Sequence, residues 1–174
     1  IWRWNADYLP TVENVRKAQF ENQAYLSALY FAKPQAIVQI ESEQVPSVNI
    51  PDGLQGDWVL TTSDKPYRAM RQWETNPYSD FYKVNLRTGE KVLLYENATA
   101  DMALASPKGT YYSVYASVGR DWYLYDITTG EGKNITKDLG VTFWNEDTDT
   151  PGLPRPYSTP TWEENESYFL LGDR

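Results

Sequence analysis

The segment that decides the fold runs from Arg120 to Thr136 and reads RDWYLYDITTGEGKNIT. Trp122 and Leu124 fall on one side of an extended chain, in a run of aromatic and β-branched residues typical of a β-strand. A short turn follows, with Gly130 at the position where a positive φ costs least. Because a second strand comes next, the segment predicts a β-hairpin.

The same hairpin occurs earlier in the chain. Residues 80–91 (DFYKVNLRTGEK) match residues 121–132 (DWYLYDITTGEG) at an offset of 41 positions, with the Asp, the second aromatic residue and the Thr-Gly-Glu turn in the same places. A repeat of about 40 residues that is made of strands has the period of a β-propeller blade. In both copies the turn begins with a polar residue, Asn85 or Asp126, and we expect its side chain to bond backbone N–H groups of the turn.

A further strand pair precedes the second hairpin. Residues 101–106 and 110–115 read as strands joined by a Pro-Lys-Gly turn, and the unit returns at 158–171 with an offset of 57 positions. The 16 additional residues (57 − 41) form an insertion between Gly140 and Ser158. One complete four-stranded blade is therefore predicted at about 101–137, with parts of its neighbours on both sides.

We predict an all-β fold, a partial β-propeller of about three to three and a half four-stranded antiparallel blades. One short helix near the N-terminus is predicted over Val12 to Glu21, with Thr11 as its cap. With 174 residues the chain is too short for a closed ring of seven or eight blades, so we expect a segment of a longer protein. The predicted blade parts are about 1–46, 47–97, 98–140 and 158–174, and the insertion is 141–157.

Composition excludes several kinds of site. The chain has 16 Lys and Arg against 24 Asp and Glu, a net charge of −8, which disfavours binding to nucleic acid. It contains no cysteine and no histidine, so neither a Ser-His-Asp nor a Cys-His catalytic arrangement can be completed within it. No apolar run approaches the roughly 18 residues of a membrane span. We predict no catalytic residue, no cofactor and no metal ion in this chain.

Two stretches resemble a known family. ASPKGTYY at 105–112 and DWYLYDITTGE at 121–131 resemble the repeats of TolB-like propellers and of the propellers of prolyl-oligopeptidase-family serine peptidases. The stretch WNEDTDTP at 144–151, which runs on to Tyr157, looks like an insertion of the larger bacterial peptidases of that family. The insertion favours the peptidase over the TolB-like proteins.

The resemblance implies a function. In that family the propeller caps an α/β-hydrolase domain that carries the catalytic Ser, Asp and His, so this chain would be a non-catalytic segment that gates and positions peptide substrates. Its implied partners are a peptide substrate and an α/β-hydrolase domain, and its implied location is periplasmic or secreted. The alternative is a stand-alone TolB-like propeller that binds a protein partner.

One feature of dipeptidyl-peptidase-like relatives is not assigned to this chain. Those relatives use an adjacent Glu pair in the propeller to hold the free amine of the substrate. The pair Glu163-Glu164 falls on the Ser-Pro turn position of the blade repeat, which gives it a turn role. Carboxylates of a propeller channel, which some glycoside hydrolases use, remain an open alternative because no motif here marks them.

The insertion is the predicted site. Connections between blades need only a few residues, and a long one is usually functional or disordered. We name Trp144, Asp147, Asp149 and Arg155 as substrate-facing candidates, because an aromatic anchor and charges of both signs suit a peptide and its termini. The competing interpretation is a loop that folds back on its own blade.

Two other patterns receive structural interpretations. Asn145, Asp147 and Asp149 have the opening spacing of a calcium loop, but Thr150 stands where glycine is needed and Pro156 where glutamate is needed. A solvated acidic loop is therefore favoured over a metal site. The tryptophans at strand positions, Trp122 and Trp162, are expected to pack between blades rather than form a platform for a sugar.

Self-association is also expected. A propeller that is cut leaves the flanks of its terminal blades uncovered, and each flank is an apolar face that normally packs on a neighbour. We therefore expect copies of this chain to associate through exposed blade faces.

Overall fold

Two four-stranded antiparallel sheets occupy the centre of the structure, as the repeat predicts. The computed structural model describes residues 6–32, 36–50, 54–76, 78–99, 103–149 and 151–173. The first full blade consists of β3 (Ser47–Asn49), β4 (Trp58–Ser63), β5 (Tyr78–Asn85) and β6 (Lys91–Thr99). The second consists of β7 (Ala103–Ala105), β8 (Tyr111–Ala116), β9 (Asp121–Asp126) and β10 (Gly132–Asn134). In each blade the strands pair in chain order.

A two-stranded sheet comes before and after these blades in the chain. The first is the antiparallel pair β1 (Ser27–Leu29) and β2 (Ile37–Gln39), and the last is β11 (Thr161–Trp162) and β12 (Phe169–Leu170). Two full blades and two half blades make a partial β-propeller, within the predicted range of about three to three and a half blades. The all-β prediction is confirmed.

The turns that follow β5 and β9 carry the same hydrogen bonds, which confirms the repeat. The side chain of Asn85 accepts the N–H groups of the residues two and three positions on, at 2.9 and 3.1 Å. Asp126 does the same, at 2.8 Å to each. Gly89 and Gly130 stand in these turns with φ of 74° and 78°, where glycine is the least strained residue. The turn role predicted for Asn85 and Asp126 is confirmed.

The turn between β7 and β8 also returns, between β11 and β12. The N–H of Gly109 donates to the carbonyl of Ser106 at 3.0 Å, and 57 positions later the N–H of Glu166 donates to the carbonyl of Glu163 at 2.9 Å. Glu166 has a φ of 64° where Gly109 has 73°. The second turn therefore keeps the backbone shape of the first without its glycine.

The two full blades pack on each other through an apolar cluster. A charged residue crosses the same interface: Lys83 is buried, its ammonium lies 4.6 Å from the centre of the Trp58 ring, and its Nζ donates to the carbonyl of Thr128 in the next blade. The donor and ring contacts satisfy a charge that would otherwise be costly to bury. The fully buried members of the cluster are Leu60, Phe81, Ala98, Tyr112, Val114 and Ile127.

Both tryptophans singled out in the sequence serve in packing. Trp122 is 1% exposed and its ring centre lies 5.4 Å from that of Tyr115. Trp162 stacks on Tyr111 of the preceding blade, with ring centres 6.3 Å apart and planes 5° from parallel. It also contacts Phe169 at 4.7 Å. Trp162 therefore packs between blades, as expected, whereas the ring contact of Trp122 is with a neighbouring strand of its own blade.

The helix near the N-terminus begins earlier than predicted, and its cap is different. It spans Pro10–Glu21, and its N-cap is Leu9 rather than Thr11. The reason is Pro10, whose fixed φ and missing N–H suit the first helical position and force an extended conformation on the residue before it. None of the described side chains of this helix is buried.

Two short 3₁₀ turns, Lys65–Tyr67 and Ala69–Gln72, lie in the long connection between β4 and β5. Together with the helix at Pro10–Glu21 they complete the helical structure of the described residues. Within that part of the chain, no helix has the length and apolar character needed to cross a membrane.

Candidate functional site

The connections between strands fall on two opposite edges of each blade, because successive strands of an antiparallel sheet reverse direction. One edge carries the tight turns at 86–90 and 127–131. The other carries the β4–β5 connection at 64–76, the β8–β9 turn at 117–120 and the insertion at 141–157. We call this second edge the connection face.

The insertion has a defined backbone structure. The N–H of Asn145 donates to the carbonyl of Arg155 at 2.8 Å, and the N–H of Tyr157 donates to the carbonyl of Phe143 at 3.1 Å. Trp144 and Pro156 form an antiparallel bridge between these two bonds. The two ends of the insertion are therefore held side by side like the arms of a short hairpin, which fixes the backbone of Trp144.

The tip of the insertion folds through its own side chains. Asn145 Oδ1 accepts the N–H of Asp147 at 3.0 Å, and the carbonyl of Asn145 accepts the hydroxyl of Thr148, also at 3.0 Å. The hydroxyl of Tyr157 accepts the N–H of Glu146 at 3.3 Å. Asn145 is thus engaged in a local turn, which is the use that short polar side chains commonly have in loops.

The insertion contacts the preceding blade as well as its own. The N–H of Leu153 donates to Asn76 Oδ1 at 3.1 Å, across 77 positions of sequence. Asn76 belongs to the β4–β5 connection of the first full blade. The insertion therefore reaches across the connection face to the first full blade. The competing interpretation, a loop that folds back only on its own blade, does not account for this contact.

The contact with its own blade is made by Arg120, a residue that the sequence analysis did not name as a candidate. Its guanidinium lies 4.2 Å from the centre of the Trp144 ring, a cation–π distance. Arg120 has a φ of 61°, and its N–H donates to the carbonyl of Ala116 at 2.7 Å to close the β8–β9 turn. The sequence feature that could have identified Arg120 is its position in a turn on the same edge of the blade as the insertion.

A cleft of about 360 Å³ opens between this turn and the start of the insertion. Its wall includes Arg120, Asp121, Thr136, Phe143 and Trp144. Asp121 accepts hydrogen bonds from the Asn134 side-chain amide at 2.9 Å and from the Thr136 hydroxyl at 3.0 Å. Its carboxylate is thereby committed to holding the end of the blade together, and Arg120 is the cation that faces the cleft.

Of the four predicted site residues, Trp144 lines this cleft. Asp147, Asp149 and Arg155 are exposed and do not belong to its lining. Asp147 and Arg155 each take part in further polar or electrostatic contacts. The structure thus brings one predicted residue, Trp144, together with one that was missed, Arg120.

The calcium-loop spacing does not correspond to an assembled cluster of ligands. Within the described part of the chain, no group of three or more carboxylates is arranged to hold a metal ion. Asn145 Oδ1, the first ligand in such a loop, accepts a backbone N–H instead. Thr150, at the sixth position, lies outside the described residues.

Glu163 is a turn residue in the structure. Its carboxylate accepts hydrogen bonds from the backbone N–H of Ser167 at 3.3 Å and from the Ser167 hydroxyl at 3.0 Å. It also accepts one from the Asn165 side-chain amide at 2.9 Å. Hydrogen bonds from Asn165 and Ser167 lower the pKa of Glu163, although its slight burial acts in the opposite direction. Because these bonds occupy the carboxylate, the structure gives it a clear structural role.

A second polar constellation stands on the connection face of the first full blade. The Tyr67 hydroxyl donates to Asp80 Oδ1, and the N–H of Asn97 donates to the same two oxygens at 3.0 and 3.1 Å. Burial, together with the hydrogen bond to Asp80, raises the pKa of Tyr67 to about 12. The phenol therefore stays neutral at ordinary pH and anchors the β4–β5 connection to β5.

A larger and more open cleft, about 1310 Å³, lies between the helix at Pro10–Glu21 and the β4–β5 connection. Arg68 is the residue that links its two sides. Its guanidinium lies 2.9 Å from Asp64, 3.7 Å from Asp7 and 5.4 Å from the centre of the Tyr8 ring. Two carboxylates already pair with the Arg68 guanidinium, which makes this cleft a weaker candidate for a ligand site than the cleft beside Trp144.

Comparison with known proteins leaves the family undecided. No protein-family model matches the chain, and no curated protein matches it. The function therefore has to be inferred from the connection face itself.

Proposed function

We propose that this chain is a non-catalytic propeller segment of a prolyl-oligopeptidase-like serine peptidase. It would gate and position peptide substrates for an α/β-hydrolase domain of the same protein. We further propose that this protein is periplasmic or secreted, as the family resemblance implies. The observation that carries the proposal is the insertion, which is folded and attached to both full blades on one face.

The length and attachment of the insertion support a binding role. It is far longer than the few residues that join most neighbouring elements. Its contacts with the two blades include the hydrogen bond from Leu153 to Asn76 and the cation–π contact between Arg120 and Trp144. A long loop that is fixed on a rigid scaffold is the usual setting of a recognition surface.

The residue types on this face suit a peptide. Trp144 offers an aromatic surface, and Asp147, Asp149, Arg120 and Arg155 offer charges of both signs. A peptide likewise carries apolar side chains, an amine and a carboxylate. Because the chain has no histidine and no cysteine, the nucleophile and its base would come from the hydrolase domain. The contribution of this segment would be orientation, which lowers the barrier by holding the scissile bond in place.

The proposal is tested in the complete protein by single substitutions on the connection face. We expect Trp144→Ala and Arg155→Ala each to lower kcat/KM for an oligopeptide substrate by about tenfold, through a lower kcat as well as a higher KM, because the lost contact both binds and orients the peptide. Arg87→Ala is the matched control, because Arg87 is an exposed arginine on the opposite edge of the same propeller. Melting temperatures measured in parallel separate lost binding from lost folding.

Two outcomes would contradict the proposal. If Trp144→Ala and Arg155→Ala melt normally and cleave peptides as the parent does, the insertion has only a packing role. If the full reading frame contains neither Gly-x-Ser-x-Gly nor a later histidine, the peptidase is excluded. That second result would leave the stand-alone TolB-like propeller, whose expected activity is binding to a protein partner without cleavage.

A further inference from the structure

Arg120 lines the cleft, and the described part of the chain does not use its guanidinium in an ion pair. Among the described residues no carboxylate lies within ion-pair distance of its guanidinium, whereas Arg68, Arg71 and Arg87 each have at least one. The nearest carboxylate in sequence, that of Asp121, is held by Asn134 and Thr136. Arg120 therefore keeps its charge available to a ligand.

The guanidinium is also supported by an aromatic ring. The β8–β9 turn fixes the backbone of Arg120 through the bond to Ala116, and the Trp144 ring supports the guanidinium at 4.2 Å. A guanidinium that contacts an aromatic ring through its face still directs its N–H groups outward in its own plane. Those N–H groups have the fork geometry that matches the two oxygens of a carboxylate.

The remaining wall of the cleft indicates what accompanies that carboxylate. Val141, Phe143 and Trp144 provide apolar surface, as peptide side chains require. Asp121 and Asp138 also line the cleft, and the carboxylate of Asp121 is engaged by Asn134 and Thr136. Arg120 can pair with one carboxylate of the ligand, but the two acidic groups disfavour any further negative charge, because like charges at short range repel. The cleft volume of about 360 Å³ limits the ligand to a few residues of an extended chain.

From these observations we infer that the Arg120–Trp144 cleft binds the terminal carboxylate of a peptide whose neighbouring side chains are not acidic. The inference rests on the proposed function, since it takes a peptide as the ligand, and it names the end of the peptide that this face holds.

The test uses isothermal titration calorimetry on the full 174-residue chain. The probes are acetyl-Ala-Ala-Pro-Leu as the free acid, the same peptide as its C-terminal amide, and an amidated peptide with Glu in place of the second Ala. We expect the free acid to bind about tenfold more tightly than either amide, the size of one charge-assisted contact at a partly exposed site.

The variants identify the group responsible. Arg120→Gln is expected to remove the preference for the free acid, so that the acid and the amide bind this variant equally. Arg120→Gly is a second variant that also removes the guanidinium. Glycine adopts the φ of 61° at low cost, so this variant serves if Arg120→Gln does not fold. Lys137→Gln is the matched control: it removes the same charge from an exposed residue that does not line the cleft, and it should keep the preference.

Each contrary result has a distinct meaning. If the acid and the amide bind equally, or if Arg120→Gln keeps the preference, the carboxylate site is overturned while peptide binding by this face stands. If the Glu-containing amide binds as tightly as the free acid, the assignment to the peptide terminus is overturned. If no peptide binds in any form, the role of the connection face in the proposed function fails together with this inference.

Discussion

The carboxylate of Glu163 stands in the place of the Ser106 hydroxyl. The two residues are 57 positions apart, and each accepts the backbone N–H of the residue four positions further on, at 3.1 Å for Ser106 and 3.3 Å for Glu163. Both turns join the first two strands of a blade. A hydroxyl and a carboxylate therefore perform the same task in two copies of one repeat, because each supplies an oxygen acceptor to a backbone donor that the turn leaves unpaired.

This relationship makes the Ser106 hydroxyl a stability determinant. It is buried and accepts the N–H groups of Thr110 and Tyr111 at 3.1 and 2.9 Å. We expect Ser106→Ala to lower the free energy of unfolding by about 1 kcal/mol, since it removes a buried acceptor that serves two backbone N–H groups. Urea unfolding followed by tryptophan fluorescence measures the change. Ser27→Ala, on an exposed strand, should change it by less than about 0.5 kcal/mol, and an equal loss in the two variants would contradict this account.

Glu163 and Glu166 make the stability of the last turn depend on acid pH. Hydrogen bonds from Asn165 and Ser167 lower the pKa of Glu163 against a small opposing effect of burial. Burial raises the pKa of Glu166, but hydrogen bonds from the turn around Ser106 and Thr110 outweigh it and lower the pKa overall. A carboxylate with a lowered pKa in the folded state stabilises the fold above its unfolded pKa, and that stabilisation is lost as the pH falls through the folded value.

We therefore expect the melting temperature to fall as the pH is lowered from about 5, just above the unfolded glutamate pKa of about 4.3, towards 3. Glu166→Gln should flatten part of this profile, because the amide does not titrate. Glu164→Gln is the control, since Glu164 is exposed and has no side-chain hydrogen bond to a described residue. Differential scanning fluorimetry across the pH series gives the measurement, and a Glu166→Gln profile as steep as that of the parent would refute the assignment.

The repeat explains how much of this fold is predictable from sequence. The 41-position offset located the turns of Asn85 and Asp126, because such turns depend on local hydrogen bonds between residues two and three positions apart. The prediction of the helix cap was wrong, and the reason is also local. Thr11 suits a cap, but Pro10 suits the first helical position better, so the helix begins at Pro10.

The geometry of the site was less predictable. Trp144 could be chosen as an aromatic anchor, but its partner Arg120 lies in a different turn, 24 positions earlier. The bond between Leu153 and Asn76 spans 77 positions and depends on how two blades pack. Such contacts arise from tertiary packing, and no local periodicity encodes them.

Tyr67 gives the connection face a measurable response to alkaline pH. Its pKa is raised to about 12 by burial and by the hydrogen bond and charge of Asp80. A raised pKa favours the neutral phenol in the folded state, so the stabilisation is full below the ordinary tyrosine pKa of about 10 and is lost as the pH rises towards 12. Ultraviolet absorbance should show Tyr67 ionising late, at a pH where the β4–β5 connection also loosens.

The corresponding variant is Tyr67→Phe, which removes the donor to Asp80 and an acceptor for the N–H of Asn97. We expect it to lower the free energy of unfolding by about 1 kcal/mol at neutral pH and to remove one late-ionising tyrosine from the titration. Tyr168→Phe is a suitable control, because Tyr168 is exposed on the last strand pair. If Tyr67→Phe leaves the number of late-ionising tyrosines unchanged, the raised pKa is assigned to the wrong residue.

The last prediction concerns the two half blades. Ala28 and Val38 of the first half blade pack against an apolar cluster of the first full blade, whereas Leu29 and Ile37, which alternate with them, are 52% and 69% exposed. At the other end Leu170 is 62% exposed. Each half blade therefore covers one neighbour and leaves apolar side chains in solvent, where they favour association with another sheet face.

We expect the 174-residue chain to associate with itself as its concentration rises, which light scattering coupled to size exclusion measures as an increasing mass. Ile37→Lys and Leu170→Lys should each shift the association to concentrations at least tenfold higher, because a lysine on a packed apolar face has to be desolvated. Val118→Lys is the control: Val118 is 80% exposed, but it lies in the β8–β9 turn, away from both half blades. A strict monomer at high concentration, or equal dispersal by Val118→Lys, would show that the half-blade faces do not drive association.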